Sequence, residues 1–181
     1  MGRPKPLLHL NGETFLDRLI GRFSAICSPV IVVLGYDAAR IRAGIRNAGD
    51  AKFVVNPAPE RGMLSSLQSG LRSLPWDADA VLFTPADLPA IQSTTIAAVA
   101  AQDVATIAIP RCGGRNGHPV RISQAIVAEL LALPEDAQAR DVLHRHRAET
   151  LFLEIGDPGI LHDVDTPADY ETLISGSGVR A

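Results

Sequence analysis

The chain has 181 residues, of which 46% are hydrophobic and 20% charged, and its formal net charge is −3. This length fits one domain whose core needs no disulfide to hold it together. The weak negative charge and the lack of a basic cluster argue against a nucleic-acid or membrane-surface partner. Apolar runs stay far below the about 20 residues of a membrane helix, and Cys27 and Cys112 form no CxxC motif. We therefore expect a reduced, cytoplasmic, globular protein.

The chain begins with a basic, proline-containing segment, residues 1–8, that is typical of the second half of a phosphate-binding loop. Backbone N–H groups at Gly2 and Arg3, together with the ammonium group of Lys5, would surround a phosphate. Such a loop normally follows a buried strand, and here no strand-like run comes before it. We predict that these residues form one edge of an anion site.

Short apolar segments then alternate with helical ones. Thr14 stands three residues before Asp17, the spacing of a capping box at a helix start. The predicted strands are residues 30–34, 53–55, 80–83, 106–109, 120–122 and 151–153, and the predicted helices are residues 15–23, 38–48, 63–74, 91–102, 126–133 and 139–147, with a last helix starting at Thr166.

This alternation predicts an α/β fold with a mainly parallel sheet and helices on both sides. We expect a single domain over residues 1–174 and a flexible tail over residues 175–181, where serine and glycine alternate. Ligands of such sheets bind beyond the carboxyl ends of the strands. The loops to search are therefore those that follow residues 34, 55, 83 and 109.

Two aspartates in these regions are candidate metal ligands. Asp87 follows the third strand in a short loop held by two prolines, and Mg²⁺ prefers one or two protein carboxylates plus substrate phosphates. The alternative is an ordinary Asx-type turn. Asp163 and Asp165 stand two residues apart in an extended segment before a helix start, and we expect only one of them to face the site. We choose Asp165, next to that helix start.

Two further segments carry polar groups that could bind a ligand. Ser65 and Ser66 open the helix after a long loop that includes Gly62, where hydroxyl and free N–H groups suit a phosphate or a base edge. The alternative is that a serine merely caps the helix. His118 follows a glycine-rich turn and could be a general base or a substrate contact, although a plain hairpin turn explains the same residues.

Taken together, these segments resemble the MobA-like nucleotidyltransferases, most closely the molybdenum cofactor cytidylyltransferases. Five blocks stand in the family's order: Met-Gly-Arg-Pro-Lys-Pro-Leu-Leu at residues 1–8, Gly-Met-Leu-Ser-Ser-Leu at 62–67, Ala-Asp-Leu-Pro at 86–89, Gly-His-Pro at 117–119 and Asp-Val-Asp-Thr-Pro-Ala-Asp-Tyr at 163–170. Each block alone is weak evidence for the resemblance, whereas five blocks in the family's order are strong evidence.

The resemblance implies a Rossmann-like, GT-A-type three-layer sandwich and transfer of CMP from CTP to a molybdopterin-type cofactor with release of pyrophosphate. It implies that Asp87 and Asp165 hold Mg²⁺ and that Lys5 neutralises the triphosphate, with Gly2 and Arg3 beside it. Gly62 and Ser66 would contact the base, and His118 would lie on the acceptor side. A molybdenum hydroxylase is the implied client protein.

Other functions stay open, both among the nucleotidyltransferases and outside them. The nucleotide could be GTP, or the acceptor a sugar phosphate, and the chain could be a non-catalytic nucleotide-binding module. The family's motif runs approximately Leu-Ala-Ala-Gly-x-Ser-x-Arg before Met-Gly and follows a first strand, and both are absent from this sequence. Either the reading frame begins about 10–20 residues upstream, which we favour because the charged residues are kept, or the chain is a shortened, inactive paralogue.

Overall fold

The computed structural model describes residues 4–75, 77–103 and 106–177. Strands and helices alternate along most of this chain, as the sequence predicts. In chain order they are β1 (His9–Leu10), β2 (Glu13–Thr14), α1 (Phe15–Ser24), β3 (Ile31–Leu34), α2 (Ala38–Ala43), β4 (Lys52–Val55), α3 (Met63–Leu71), β5 (Ala80–Phe83), α4 (Ser93–Ala100), β6 (Ile107–Cys112), β7 (Arg115–Asn116), β8 (Val120–Ser123), α5 (Gln124–Ala132), α6 (Ala139–Arg145), β9 (Thr150–Glu154) and α7 (Pro167–Ser177).

The long strands form two hydrogen-bonded groups. In the first, β3 and β4 are parallel, with Ile31 opposite Lys52. In the second, β8 lies antiparallel between β5 and β6, and β6 also pairs with β9 in parallel and with β7 in a hairpin. Consequently β5, β6 and β9 run in one direction, and β8 and the short β7 run against them. Helices cover both sides, so the predicted α/β, Rossmann-like fold is confirmed.

Helix α1 shows how local signals and packing agree. Thr14 caps the helix by accepting a hydrogen bond from Asp17 N at 3.0 Å, as the capping-box spacing predicts. Its apolar face is buried in the core between the sheet and the neighbouring loops. Asp17 is only 3% exposed and also accepts bonds from Arg46 N and Asn47 N, each at 2.8 Å. The first helix therefore anchors the loop that follows the second.

Several predicted boundaries shift in the structure. The helix expected over residues 38–48 ends at Ala43, because the N–H groups of residues 46 and 47 bond to Asp17 instead of continuing the helix. The strand expected to end at residue 109 continues to Cys112 and turns back into β7. Helix α7 reaches Ser177, so residues 175–177 of the expected tail are helical.

The core is apolar and divided among four clusters. The largest lies between β6, β8, α5 and α6 and contains fully buried Ile107, Ile122 and Ile126. The smallest joins Leu10, Phe15 and Val164, and so fixes the segment before α7 against the amino-terminal hairpin. Among the described helices, none is long and apolar enough to cross a membrane.

Candidate active site

The amino-terminal segment brings one cation to the carboxyl end of the sheet. Lys5 opens a 3-10 turn, Lys5–Leu7, between two prolines, and buried Leu7 anchors that turn in the core. The Lys5 ammonium nitrogen Nζ lies 2.6 Å from Oδ1 of Asp165, and both side chains are partly exposed. Residues 160 positions apart therefore meet in an ion pair that a solvent-borne anion can reach.

Asp165 is held in this position by the segment around it. Val164 is 1% exposed, whereas Asp163 and Asp165 on either side of it are both exposed. Asp169 accepts hydrogen bonds from the backbone N–H of Asp165 at 3.1 Å and of Thr166 at 2.7 Å. Asp169 N bonds in turn to Thr166 Oγ1, which caps α7. These bonds fix the backbone from which the Asp165 carboxylate projects.

Asp87 joins the same group from the loop after β5. Its carbonyl oxygen accepts a hydrogen bond from Val164 N at 3.0 Å, which ties this loop to the segment that carries Asp165. Burial raises the pKa of the Asp87 carboxyl, the negative charge of Asp165 raises it further, and the ammonium of Lys5 opposes the rise. The three side chains are thus close enough to influence one another electrostatically.

These residues have the donor chemistry of a hard divalent cation. Within residues 4–75, 77–103 and 106–177, no three His, Cys, Asp or Glu side chains form a complete metal-binding cluster. Two carboxylates at one edge are still what Mg²⁺ or Mn²⁺ needs when substrate phosphates supply the other oxygens. The Lys5 ammonium already places a positive charge beside Asp165. The two carboxylates suit a divalent metal ion, and the ammonium suits the negative charge of phosphates. Together the three groups therefore fit a metal ion that is bound with a polyphosphate.

A second polar cluster organises the loop before α3. Asn56 is 3% exposed and donates from Nδ2 to the hydroxyl oxygens of Ser65 at 2.8 Å and Ser66 at 3.0 Å. Its Oδ1 accepts from Ala58 N at 3.0 Å. Gly62, at the start of α3, has φ +84°, a conformation that favours glycine. Asn56, a residue that we did not select from the sequence, therefore contacts Ser66 directly. It is linked to Gly62 through Ser65, whose Oγ donates to Gly62 O at 2.9 Å.

His118 lies apart from the carboxylates. Its Nδ1 is 3.5 Å from the carbonyl oxygen of Phe83, and the two rings meet edge to face. Burial lowers the pKa of His118. The preceding Gly117 has no room for a side chain, because a Cβ there would come within 2.6 Å of Ile160. The histidine is thus packed against the end of β5, four residues before Asp87.

The structure therefore groups Lys5, Asp87 and Asp165. Ser66 and His118 lie outside this group, Ser66 beside Asn56 and His118 beside Phe83. Gly2 and Arg3 lie outside the described residues. The missed residue, Asn56, carries one usable signal, since it is a polar residue between a strand and a proline.

Solved structures provide close matches over nearly the whole chain. Rv0371c from Mycobacterium tuberculosis H37Rv is 26% identical, with 97% of this chain and 90% of that chain covered and a TM-score of 0.82. A structure described as Rv0371C in complex with manganese is 27% identical, with coverage of 96% and 93% and a TM-score of 0.76.

A more distant structure shares the fold. It is 2-C-methyl-D-erythritol 4-phosphate cytidylyltransferase from Thermus thermophilus, 18% identical, with coverage of 98% and 95% and a TM-score of 0.71. A search of curated protein sequences finds no match. A family model, described as the MobA-like NTP transferase domain, matches residues 1–150. The chain therefore belongs to the MobA-like NTP transferase family of nucleotidyltransferases.

Proposed function

We propose that this protein is a nucleotidyltransferase that moves CMP from CTP to a molybdopterin-type acceptor and releases pyrophosphate. The observation that carries the proposal is the meeting of Lys5, Asp87 and Asp165 at the carboxyl end of β5, in a chain of an NTP transferase family. A cation and two carboxylates at this edge suit a triphosphate and the divalent metal that accompanies it.

The reaction exchanges one phosphate bond for another. An oxygen of the acceptor's phosphate forms a bond to the α-phosphorus of CTP. The bond from that phosphorus to the bridging oxygen breaks, and its electron pair leaves with pyrophosphate. No covalent enzyme intermediate is needed, so the protein acts by positioning the reactants and by stabilising charge.

Each member of the group has a task in this scheme. Lys5 binds the negative triphosphate, since its ammonium is exposed enough to leave Asp165 for a phosphate oxygen. Asp87 and Asp165 would hold Mg²⁺, which when bound neutralises charge on the phosphates. Gly2 and Arg3 belong to the same phosphate side by their place in the sequence.

The remaining candidates belong to the base and acceptor sides. Gly62 and Ser66 lie at the start of α3, where free N–H groups and a hydroxyl suit the edge of a base. The Gly-His-Pro block at residues 117–119 supports CTP over GTP through its likeness to the cytidylyl branch. His118 is the proposed acceptor-side contact, and a molybdenum hydroxylase is the proposed client.

The test compares two aspartate variants that differ by position and not by chemistry. Asp87→Asn removes a proposed ligand, whereas Asp79→Asn removes an exposed carboxylate at the amino end of β5, the end away from the site. Pyrophosphate release is measured with CTP, GTP or ATP, with molybdopterin or a sugar phosphate as acceptor, and with Mg²⁺ or Mn²⁺. The chain is used as it stands.

We expect release with CTP and molybdopterin that needs the metal. It should fall at least about 100-fold in Asp87→Asn, because even residues behind metal ligands are worth about 10–100-fold. It should stay within twofold in Asp79→Asn. Preference for GTP or for a sugar phosphate would overturn the substrate assignment. No release with any nucleotide would overturn the enzymatic proposal and favour a nucleotide-binding module.

A further inference from the structure

Helix α1 carries two arginines on the side that faces the loop after β5. Arg18 and Arg22 stand four residues apart, so their side chains lie on one face of the helix. Both residues are half-buried. A half-buried guanidinium group needs acceptors within the protein, because burial of a charge without partners is costly. Neither residue has a task in the proposed reaction.

The acceptors are backbone carbonyl groups of the loop that carries Asp87. Arg18 Nε donates to Pro89 O at 3.2 Å, and Arg22 Nη1 donates to the same oxygen at 3.1 Å. Arg22 Nη1 also donates to Ile91 O. Pro89 O therefore has both of its lone pairs directed at charged donors. Hydrogen bonds with an ionised donor are stronger than neutral ones, so this is a firm attachment of the loop to α1.

Acidic groups nearby offset the repulsion between the two guanidinium groups. Arg18 Nη1 lies 3.4 Å from Oε2 of Glu13 in β2. Burial lowers the pKa of Arg22 and the charge of Arg18 lowers it further, while the charges of Asp157 and Glu13 oppose the fall. Arginine keeps its proton in proteins, so both groups bind the loop as cations.

Apolar packing attaches the same loop to the same helix. Leu88, the residue after Asp87, is 4% exposed, and Ile91 is fully buried. Both belong to one core cluster with Leu19 and Phe23 of α1. Helix α1 therefore holds this loop through its buried face and through its arginines.

Two further bonds fix the ends of the loop. Val164 N donates to Asp87 O at 3.0 Å, and Gln92 N donates to Oδ2 of Asp157 at 2.9 Å. The arginine bonds act between these ends, at Pro89 and Ile91. The backbone that carries the Asp87 carboxylate is therefore fixed on both sides of Leu88.

Helix α1 also contacts the other two segments of the candidate site. Phe15 N, at the start of α1, donates to Leu8 O at 2.8 Å, which ties the helix to the segment that follows Lys5. Phe15 also belongs to one core cluster with Val164, the residue before Asp165. One helix therefore sets the positions of all three charged groups relative to one another.

We propose that Arg18 and Arg22 are positioning residues, whose bonds to the loop carbonyl oxygens hold Asp87 where it can share a divalent metal ion with Asp165. This inference deepens the proposed function and rests on it for the assignment of the two aspartates as metal ligands. Loop order and metal binding are both measured without nucleotidyl transfer, so the two proposals can fail separately.

The sign of the effect separates positioning from electrostatics. Removal of a positive charge near a cation site would by itself strengthen cation binding, because like charges repel. Loss of a positioning bond would weaken it, because the carboxylate would no longer be held in place. Substitution of either arginine therefore gives opposite results under the two explanations.

The experiment compares Arg22→Met, Arg18→Met and two controls. Arg145→Met removes an exposed guanidinium group that bonds to Glu129 on α5. Ile126→Val lowers stability from within the core, in a cluster that does not include the loop. Binding of Mn²⁺ alone is titrated by the electron paramagnetic resonance signal of the free ion, and Asp87→Asn measures the binding that occurs elsewhere on the protein.

We expect Arg22→Met to weaken Mn²⁺ binding about tenfold, at the lower end of the about 10–100-fold that groups behind metal ligands contribute. Arg18→Met should weaken it less, because Arg18 bonds to one loop carbonyl and Arg22 to two. Neither control should change it by more than about twofold. Added to Asp87→Asn, Arg22→Met should cause no further loss, because its effect passes through Asp87.

Amide hydrogen exchange gives a second readout that needs no metal. Exchange at Val164, whose N–H bonds to Asp87 O, should accelerate at least about tenfold in Arg22→Met. The amide of Asn56, which bonds to Leu34 O in the other part of the sheet, is the internal control and should stay within about twofold.

Several results would overturn the proposal. Unchanged or tighter Mn²⁺ binding in both arginine variants would exclude a positioning role. An equal loss in Ile126→Val, or equal acceleration at Val164 and Asn56, would indicate general destabilisation. A further loss when Arg22→Met is added to Asp87→Asn would show that Arg22 acts by another route. If the unmodified chain binds Mn²⁺ no better than Asp87→Asn, the metal assignment itself fails, and with it the basis of both proposals.

Discussion

Replacing Asn56 by alanine tests whether one buried amide organises the loop on the proposed base side. The side chain is 3% exposed and makes three hydrogen bonds, two to serine hydroxyls and one from a backbone N–H, at 2.8–3.0 Å. At about 1 kcal/mol for each such bond, the variant should lose about 3 kcal/mol of unfolding free energy. The backbone bond from Asn56 N to Leu34 O is kept, so β4 itself should survive.

The assay is urea unfolding followed by circular dichroism. With a slope of about 2 kcal/mol per molar urea for a domain of this size, the midpoint should fall by about 1.5 M. In the nucleotidyl-transfer assay, the KM for CTP should rise more than kcat falls, because the loop that carries Gly62 and Ser66 loses its order before chemistry begins.

The matched control is Asn116→Ala, which removes the same side chain from an exposed position on β7. Its midpoint should move by less than about 0.3 M, since surface substitutions change stability by under about 0.5 kcal/mol. If Asn56→Ala shifts the midpoint no more than this control does, the buried network does not stabilise the loop and the reasoning fails.

Three further outcomes follow from the structure. Asp157→Ala removes a 3% exposed carboxylate that accepts hydrogen bonds from Gln92 N, Thr95 Oγ1 and Gly159 N. The variant should lose about 4 kcal/mol of unfolding free energy in urea, and an unchanged midpoint would contradict this expectation. Lys5→Ala should change stability by less than about 1 kcal/mol, because its ion pair is exposed. The same variant should still reduce pyrophosphate release at least tenfold. If stability and pyrophosphate release fell together, Lys5 would have a structural role instead. Burial lowers the pKa of His118, so the unfolded chain binds a proton at higher pH than the folded one. The free energy of unfolding should therefore fall as pH drops below about 6.5, and His118→Gln should flatten that fall between about pH 7.5 and 5.5. Equal slopes of unfolding free energy against pH in the two proteins would refute this prediction.

Much of the fold follows from local sequence patterns. The strand over residues 80–83 is predicted and found with the same bounds, because an apolar run closed by a proline leaves little freedom. The cap at Thr14 and the helix start at Thr166 are confirmed by the bonds that they make to Asp17 and Asp169. The helix over residues 38–48 is shorter than its pattern predicts, because Asp17 takes the N–H groups of residues 46 and 47.

The candidate site was only partly visible in the sequence. Loop position and residue type single out Asp87, Asp165 and Lys5 one at a time. Their meeting depends on the packing of Val164 against Leu10 and Phe15, and on the bond from Val164 N to Asp87 O. Asn56 was not selected because its importance comes from burial, which a single polar residue in a loop does not reveal.

Local sequence patterns account for the alternation of strands and helices and for the helix caps. They also account for the residue types that suit a triphosphate and a divalent metal, because each of these is a short-range property. Long-range packing, in contrast, brings Lys5 and Asp165 together in an ion pair across 160 positions and sets β8 against the direction of its neighbours β5 and β6. These features depend on which distant surfaces pack together, and local propensity does not specify that choice.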